Sequence, residues 1–473
     1  MTQDDFSTNI KKGTSSVFQA KVSDWLPQVV GGNGVYLKIQ DPDTGEIKDI
    51  IDSMTGAAVG ALGWGDPAAL QIINDAARAT TYSYPAVFGN KYAEQLADYY
   101  ISRSPPDAFA AALWTCSGSE ANENALKIIR QYYLERGLTS KKKFISRKTS
   151  YHGYTIGAMS LGSGIRSKMF QEILLPEDQC LKMEPFYPYR NQQEHETLEE
   201  YSQRLIQSLE KMVIDEGPET IAAIIVETLP GSSLGTSPPT STYLQGIRAI
   251  CSKYDILFML DEVMCGTGRC NPNGALNCWE NFLQPDQGPD IQTVGKTLGS
   301  GYVTIAGVLI SPKVRKEFIN GSGNIIGAQT YSSHGFNCYV ALEIQKRIEK
   351  LNLTNNIFNV GNYLGEMLKN EIKDISIVGD VRGLGGFWSI EIVKNQKTKE
   401  PFSLNLKIAP RLQKICFENG VTVMGSQGCA AGIGDHVSIA PSFVMTPEIA
   451  LEVVKKVSKS LRELNDELKG AEN

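Results

Sequence analysis

The chain has 473 residues, of which 42% are hydrophobic and 21% charged, with 44 glycines and 21 prolines. These are globular values, so a disordered, collagenous or low-complexity chain is excluded, and the length implies a large domain with smaller additions. Lys plus Arg total 46 and Asp plus Glu 52, a net charge of −6 that lacks the basic footprint of a nucleic-acid binder.

Met1–Lys21 has no apolar stretch of the kind an export signal needs, and Asp4 and Asp5 argue against an acid-poor transit peptide. No run of 18 apolar residues occurs, so no membrane span is expected and a cytoplasmic protein follows as the expectation. Val35–Met54 reads as strands around the turn Asp43-Thr44-Gly45. From about residue 105 to about residue 350, helical and strand patterns alternate. Glu120–Arg136 has apolar residues at helical spacing, Lys143–Arg147 is a short strand, and Ser241–Tyr254 is a helix. Ile221–Leu229, Ile256–Val263 and Thr304–Ser311 are near-continuous apolar runs, as in strands buried on both faces. This rhythm predicts an α/β fold with a mostly parallel sheet covered by helices. The polar, Tyr- and Pro-rich segment Pro185–Glu200 is expected to be a surface loop. Ser376–Val393, with Gly383, Gly385 and Gly386 before the alternating run Phe387–Val393, then a helix at Phe402–Asn419, a strand at His436–Ala440 and a final helix Pro447–Lys469 capped by Thr446, predict a small α+β C-terminal domain.

Nine cysteines include no CxxC pair, and four histidines form no HxxxH. No zinc pattern can be built, no metal site is expected, and reduced thiols packed as small apolar residues are the expected state.

Four features could carry chemistry. Gly295-Lys296-Thr297 is not a P-loop, because Asp290 stands where that loop needs glycine; no GxGxxG exists either. Lys296, after an apolar stretch, is then either a surface lysine or a Schiff-base nucleophile whose surroundings lower its pKa. Asp261 closes the run Ile256–Leu260, as a cap of the next turn or as counter-charge to a protonated pyridine nitrogen. Cys116-Ser117-Gly118-Ser119-Glu120 opens a helix, as a plain cap or as a phosphate cradle. Tyr151, after the strand Lys143–Arg147, packs in the core or stacks on a flat ring. Each has an ordinary reading alone. Their order along one sheet does not.

At these residues the chain resembles the class III aminotransferases, the ornithine/ω-amino acid branch of fold-type I enzymes that use pyridoxal 5′-phosphate. The matching segments include Ile51–Val59, Leu62–Pro67, Ser117–Glu123, Tyr151-His152-Gly153, Leu260–Val263, Gly268-Arg269, Pro289-Asp290-Ile291 leading to Gly295-Lys296, Thr330-Tyr331-Ser332 with His334, and Val381-Arg382-Gly383 with Gly385 and Glu391. The resemblance implies a large cofactor-binding domain with a mixed, mostly parallel sheet over residues 61–354, a small α+β domain over 355–473, and an N-terminal segment 1–60 packing with the small domain. It implies that Lys296 forms the Schiff base and shuttles the proton, and that Asp261 pairs with the ring nitrogen. Gly118 and Ser119 would hold the phosphate, joined by Thr330 from a second copy, with Tyr151 and Val263 on the two ring faces. Family members are homodimers with shared sites. Glu227 falls where the family keeps a glutamate near the substrate.

Departures bear on the substrate. Thr228–Ser233 replaces the usual Pro and Gly-rich turn, Met264-Cys265 and Thr297–Gly301 differ from the common pattern, and Ser438 and Met424 fall where other members carry a carboxylate-gripping arginine. An amine, or a long-chain compound lacking a nearby carboxylate, is therefore expected, with Trp64, Tyr82 and Phe88 lining an apolar pocket. Arg269 and Arg382 remain candidates for holding a carboxylate. The same fold and cofactor site also serve racemases, aminomutases and decarboxylases, and a non-catalytic binding protein is the alternative of another class.

Overall fold

The computed structural model describes residues 15–18, 22, 24–327 and 329–471. The reading of Met1–Lys21 falls mostly on residues 1–14 and 19–21, outside the described ones. Three sheets organise the chain. A small antiparallel sheet joins β1 (Gln28–Asn33), β2 (Tyr36–Gln40) and β3 (Ile47–Ile51). The central sheet uses β4 (Ala111–Thr115), β5 (Lys143–Arg147), β6 (Cys180–Met183), β7 (Ile221–Glu227), β8 (Leu257–Asp261), β9 (Ile291–Val294) and β10 (Ala306–Ile310), in the order β4-β10-β9-β8-β7-β5-β6. A four-stranded antiparallel sheet follows, from β11 (Val378–Leu384), β12 (Phe387–Ile392), β13 (Met424–Ala430) and β14 (Ile433–Ile439).

In the central sheet only β10 runs antiparallel to its neighbours, β9 and β4. The apolar run Thr304–Ser311 is a buried strand as expected, but a reversed one. The link from β9 is short and holds no crossover helix of the length a parallel return requires. Alternate side chains of the buried strands feed opposite faces. Ile224, Val226, Phe258 and Leu260 pack in one core, while Ala223, Ile225, Leu257 and Met259 pack in another with the helix Gly118–Glu135. A third core gathers β11, β12 and β14 with the helices Leu353–Ile372 and Pro447–Ala471. Ile51 of β3 reaches into that core and bridges to Val421.

The sequence reading named no strand at β1, β4, β6, β9 or β13. β1 carries Gly31 and Gly32, and β13 is rich in Gly and Ser, so neither has an apolar period. Gly32 is dictated by packing: a Cβ there would meet Trp64 at 2.8 Å. The segment Pro185–Glu200 is not simply a surface loop. Phe186 and Tyr187 are buried, Pro188–Asn191 forms a helical turn, and Arg190 and Tyr187 both bond Glu391. Those partners lie some two hundred positions away, which no local pattern reveals. Among the described residues, no helix is long and apolar enough to cross a membrane, and no group of three or more His, Cys, Asp or Glu is arranged to hold a metal ion.

Candidate active site

Because β10 alone is reversed, the carboxyl ends of β4, β5, β7, β8 and β9 lie at one edge of the central sheet, where ligands of α/β proteins bind. Asp261 ends β8, level with Glu227 of β7 on one side and Thr293 of β9 on the other. Its Oδ2 faces His152 Nδ1 at 2.8 Å and accepts from Asn122 Nδ2 at 2.9 Å; Oδ1 accepts from the Val263 N–H at 3.0 Å. Burial pushes the carboxyl up, but the hydrogen bond and charge of His152, with the Val263 and Asn122 donors, bring it below its ordinary 3.8. Asp261 is thus ionised at the end of an apolar strand. Thr293 Oγ1 donates to Asn122 Oδ1 at 3.0 Å, which turns the Asn122 amide NH2 towards Asp261.

Lys296 follows the end of β9 with a left-handed φ of 47°, uncommon for a residue with a side chain. The turn is pinned by Gln345 Nε2, which donates to the carbonyls of Thr297 and Leu298 at 3.0 Å. Burial lowers the Lys296 ammonium from 10.5 to about 8; Asp261 opposes that shift and Arg269 reinforces it. The amine makes no hydrogen bond or ion pair among the described residues. Backbone strain and an unpartnered buried amine are costs that a structural lysine has no reason to carry.

Ser117 caps the helix Gly118–Glu135 by accepting the Glu120 N–H at 3.2 Å. The N–H groups of Gly118 and Ser119 belong to the first turn, where no intrahelical acceptor exists. Ser119 Oγ accepts from the Tyr154 N–H at 2.9 Å, which ties this turn to the Tyr151–Tyr154 loop. A Cβ at Gly118 would lie 2.6 Å from Val263 Cγ1. Gly118→Ala is therefore expected to lose about 1–3 kcal/mol of stability, despite the better helix propensity of Ala; chemical denaturation checks it.

Tyr151 lines a cavity of about 640 Å³ together with His152. Glu227 is buried, with Arg147 Nη2 3.5 Å from its Oε2. Burial raises its carboxyl, while His152 and Arg147 pull it back. Trp64 stands apart: its Nε1 donates to Asp52 Oδ2 at 3.1 Å, and it lines a second cavity of about 360 Å³ beside Ser300 and Gly301. Tyr82, Phe88 and Thr330 are exposed, and the Tyr82 ring contacts Tyr331 with centroids 5.7 Å apart. The structure thus gathers Lys296, Asp261, Glu227, Val263, Gly118, Ser119 and Tyr151, and leaves Tyr82, Phe88 and Thr330 on the surface.

Sequence reasoning missed His152 and Asn122 as partners of Asp261. A rare histidine beside Tyr151 was the available signal. Arg269 and Arg382 are not free to hold a substrate carboxylate. Buried Arg269 donates to the carbonyls of Gly386, Pro441, Ala58 and Gly60. Buried Arg382 is paired with Asp380 and Glu391. Ser438 is bonded to Ser389.

Residues 19–461 match the family model described as aminotransferase class-III. An uncharacterized aminotransferase of Schizosaccharomyces pombe is 36% identical over 92% of both chains. A chloroplastic gamma aminobutyrate transaminase of Solanum lycopersicum is 33% identical over 88% of this chain and 78% of its own. Among solved structures, a thermostable omega transaminase mutant from Pseudomonas jessenii superposes with a TM-score of 0.84 at 29% identity, covering 93% of each chain. A transaminase from directed evolution by ancestral reconstruction gives 0.85 at 30% identity, again over 93% of each. With the family model spanning nearly the whole sequence and relatives matching end to end, this chain belongs to the class III aminotransferases.

Proposed function

We propose that this aminotransferase uses pyridoxal 5′-phosphate, with Lys296 as its catalytic amine and Asp261 as the counter-charge of the cofactor ring nitrogen. One observation carries the reading: an unpartnered lysine amine, brought down to about 8, stands next to an ionised carboxylate at adjacent strand ends. The remaining residues fit the same group. The first-turn N–H groups of Gly118 and Ser119 suit a phosphate. Among the described residues, Asp261 Oδ1 accepts only the Val263 N–H, leaving a lone pair for a ring N–H. Tyr151 and Val263 offer an aromatic and a branched aliphatic surface for a flat ring.

When bound, the cofactor supplies a carbonyl that takes up the amino group and a ring that draws electrons from the substrate carbon. Lys296 does the proton work. Its neutral amine would take the proton from the substrate carbon, and its ammonium form would deliver that proton to the carbon that was the cofactor's carbonyl. Asp261, held by His152 and Asn122, keeps a proton on the ring nitrogen. Burial of Lys296 keeps competing water away from that transfer.

The reading includes a homodimer. Exposed Thr330, Tyr82 and Phe88 suit a surface that completes the neighbouring copy's phosphate and substrate sites. Trp64 and Glu227 are proposed to face the substrate from the same copy. The substrates are a small amine or amino-acid donor and a keto acid or aldehyde acceptor, in line with relatives named for gamma aminobutyrate and vanillin. Residues 61–354 are proposed as the cofactor domain and 355–473 as the small one, with 1–60 packing on the latter; the Ile51–Val421 bridge supports that. Nine free thiols support a cytoplasmic setting.

Borohydride reduction of the holoenzyme, followed by peptide mass mapping, tests the assignment. The cofactor tag is expected on Lys296 alone. A tag on another lysine, in protein that absorbs in the visible, overturns it.

A further inference from the structure

Thr330 is exposed, and among the described residues its hydroxyl makes no hydrogen bond. Ordering a loose turn on binding costs affinity, so a turn that is already held binds better. Gln329, half-buried beside Thr330, supplies the hold. Its Nε2 donates to Glu120 Oε2 at 3.1 Å and reaches Cys116 Sγ at 3.7 Å, while its Oε1 accepts the Tyr331 N–H at 3.2 Å. One amide thus clamps both sides of Thr330, and its bond to a carboxylate is of the stronger, charge-assisted kind. Glu120 is itself fixed, because its Oε2 also accepts the Cys116 N–H at 2.8 Å. Upstream, Gln131 Nε2 donates to the Asn324 carbonyl at 2.7 Å and Gln131 Oε1 accepts the Ile326 N–H at 2.9 Å. Downstream, the Ser333 N–H donates to the Trp114 carbonyl of β4 at 2.8 Å. The turn is therefore fastened to the helix Gly118–Glu135 through Glu120 and Gln131, and to the strand before that helix.

The same helix offers the first-turn N–H groups of Gly118 and Ser119 to the phosphate of its own copy. Through Gln329 it also holds an exposed hydroxyl on a restrained turn. We infer that Gln329 is the positioning residue that holds Thr330 for the neighbouring copy's cofactor phosphate, so that its loss is felt in the other copy's site and not in its own. This rests on the homodimer and cofactor readings above. Gln329 touches neither cofactor; it acts only through Thr330.

Hybrid dimers test it, with affinity for pyridoxal 5′-phosphate read as the fraction of Lys296 tagged by borohydride at graded cofactor concentrations. One chain of each hybrid carries Lys296→Ala, so only one site can be tagged. With Gln329→Leu on the lysine-bearing chain, the opposite chain still presents an intact turn, and the tagged site should load with wild-type affinity. With Gln329→Leu on the Lys296→Ala chain, the tagged site belongs to an otherwise unaltered chain and should load roughly 10-fold more weakly. Thr330→Val, placed in the same two ways, should follow the same pattern. In homodimers, Gln329→Glu sets two carboxylates face to face and should weaken loading more than Gln329→Leu does. Combining it with Glu120→Gln restores a donor–acceptor pair and should restore affinity. Weakening in the first hybrid, or in neither, overturns the inference and leaves the transaminase reading intact. A wild-type chain that sediments as a monomer removes the homodimer reading and the inference with it. A wild-type dimer that takes no tag at Lys296 removes the cofactor reading and the inference together.

Discussion

Lys296→Met is expected to lower turnover by about 10,000-fold or more while leaving the chain folded. Among the described residues the amine has no hydrogen-bond or ion-pair partner to lose, so removing it strips no such contact. A methionine of similar length fills the same space and relieves the penalty of burying a charge there. Loss of activity with an unchanged or higher melting temperature is therefore the expected pair of results; a collapsed melting temperature would make Lys296 structural. The depressed pKa gives a second readout. A lysine lowered to about 8 is neutral above that pH and charged below it. Only the neutral form attacks a carbonyl, so cofactor loading onto the apo chain should accelerate as pH rises through about 8 and then level off. Near pH 7.5, an amine with a pKa of about 8 is neutral roughly two hundred times more often than one at 10.5. Loading that keeps climbing toward 10.5 would contradict the burial argument.

The parts of the site that lie on regular elements were legible in sequence. Lys143–Arg147 is strand β5 as read, the run ending at Asp261 is β8, and Ser117 opens a helix. Burial on both faces forces continuous apolar runs, so a charged residue closing such a run stands out. The parts set by distant contacts were not legible. Asn122 sits one turn into its helix and looks like any polar helix residue until Thr293 and Asp261 are brought against its two ends. Tyr187 and Arg190 read as solvent-facing because Glu391 belongs to another sheet.

Asp261→Asn should cost about 1,000- to 10,000-fold in kcat, and its cause can be separated from a loading defect. Three donors converge on the carboxylate: His152 Nδ1, Asn122 Nδ2 and the Val263 N–H. An amide has one acceptor oxygen and one NH2, so in either orientation the NH2 meets a donor. Asn122 cannot turn to relieve its conflict, because Thr293 holds its oxygen. On the proposed reading, the variant also removes the negative charge that keeps the ring nitrogen protonated. Lys296 remains, so the borohydride tag should still map to position 296 while turnover falls. The same charge raises the Lys296 pKa against burial, so its loss should shift the pH midpoint of loading below about 8. Asp261→Glu keeps the charge but adds a methylene to a fully packed position, and should lose less activity than Asp261→Asn while losing more stability. If Asp261→Asn retains more than a tenth of wild-type turnover, or if its loading midpoint moves up, the carboxylate does not act on the ring nitrogen and the lysine in the way its bonds imply.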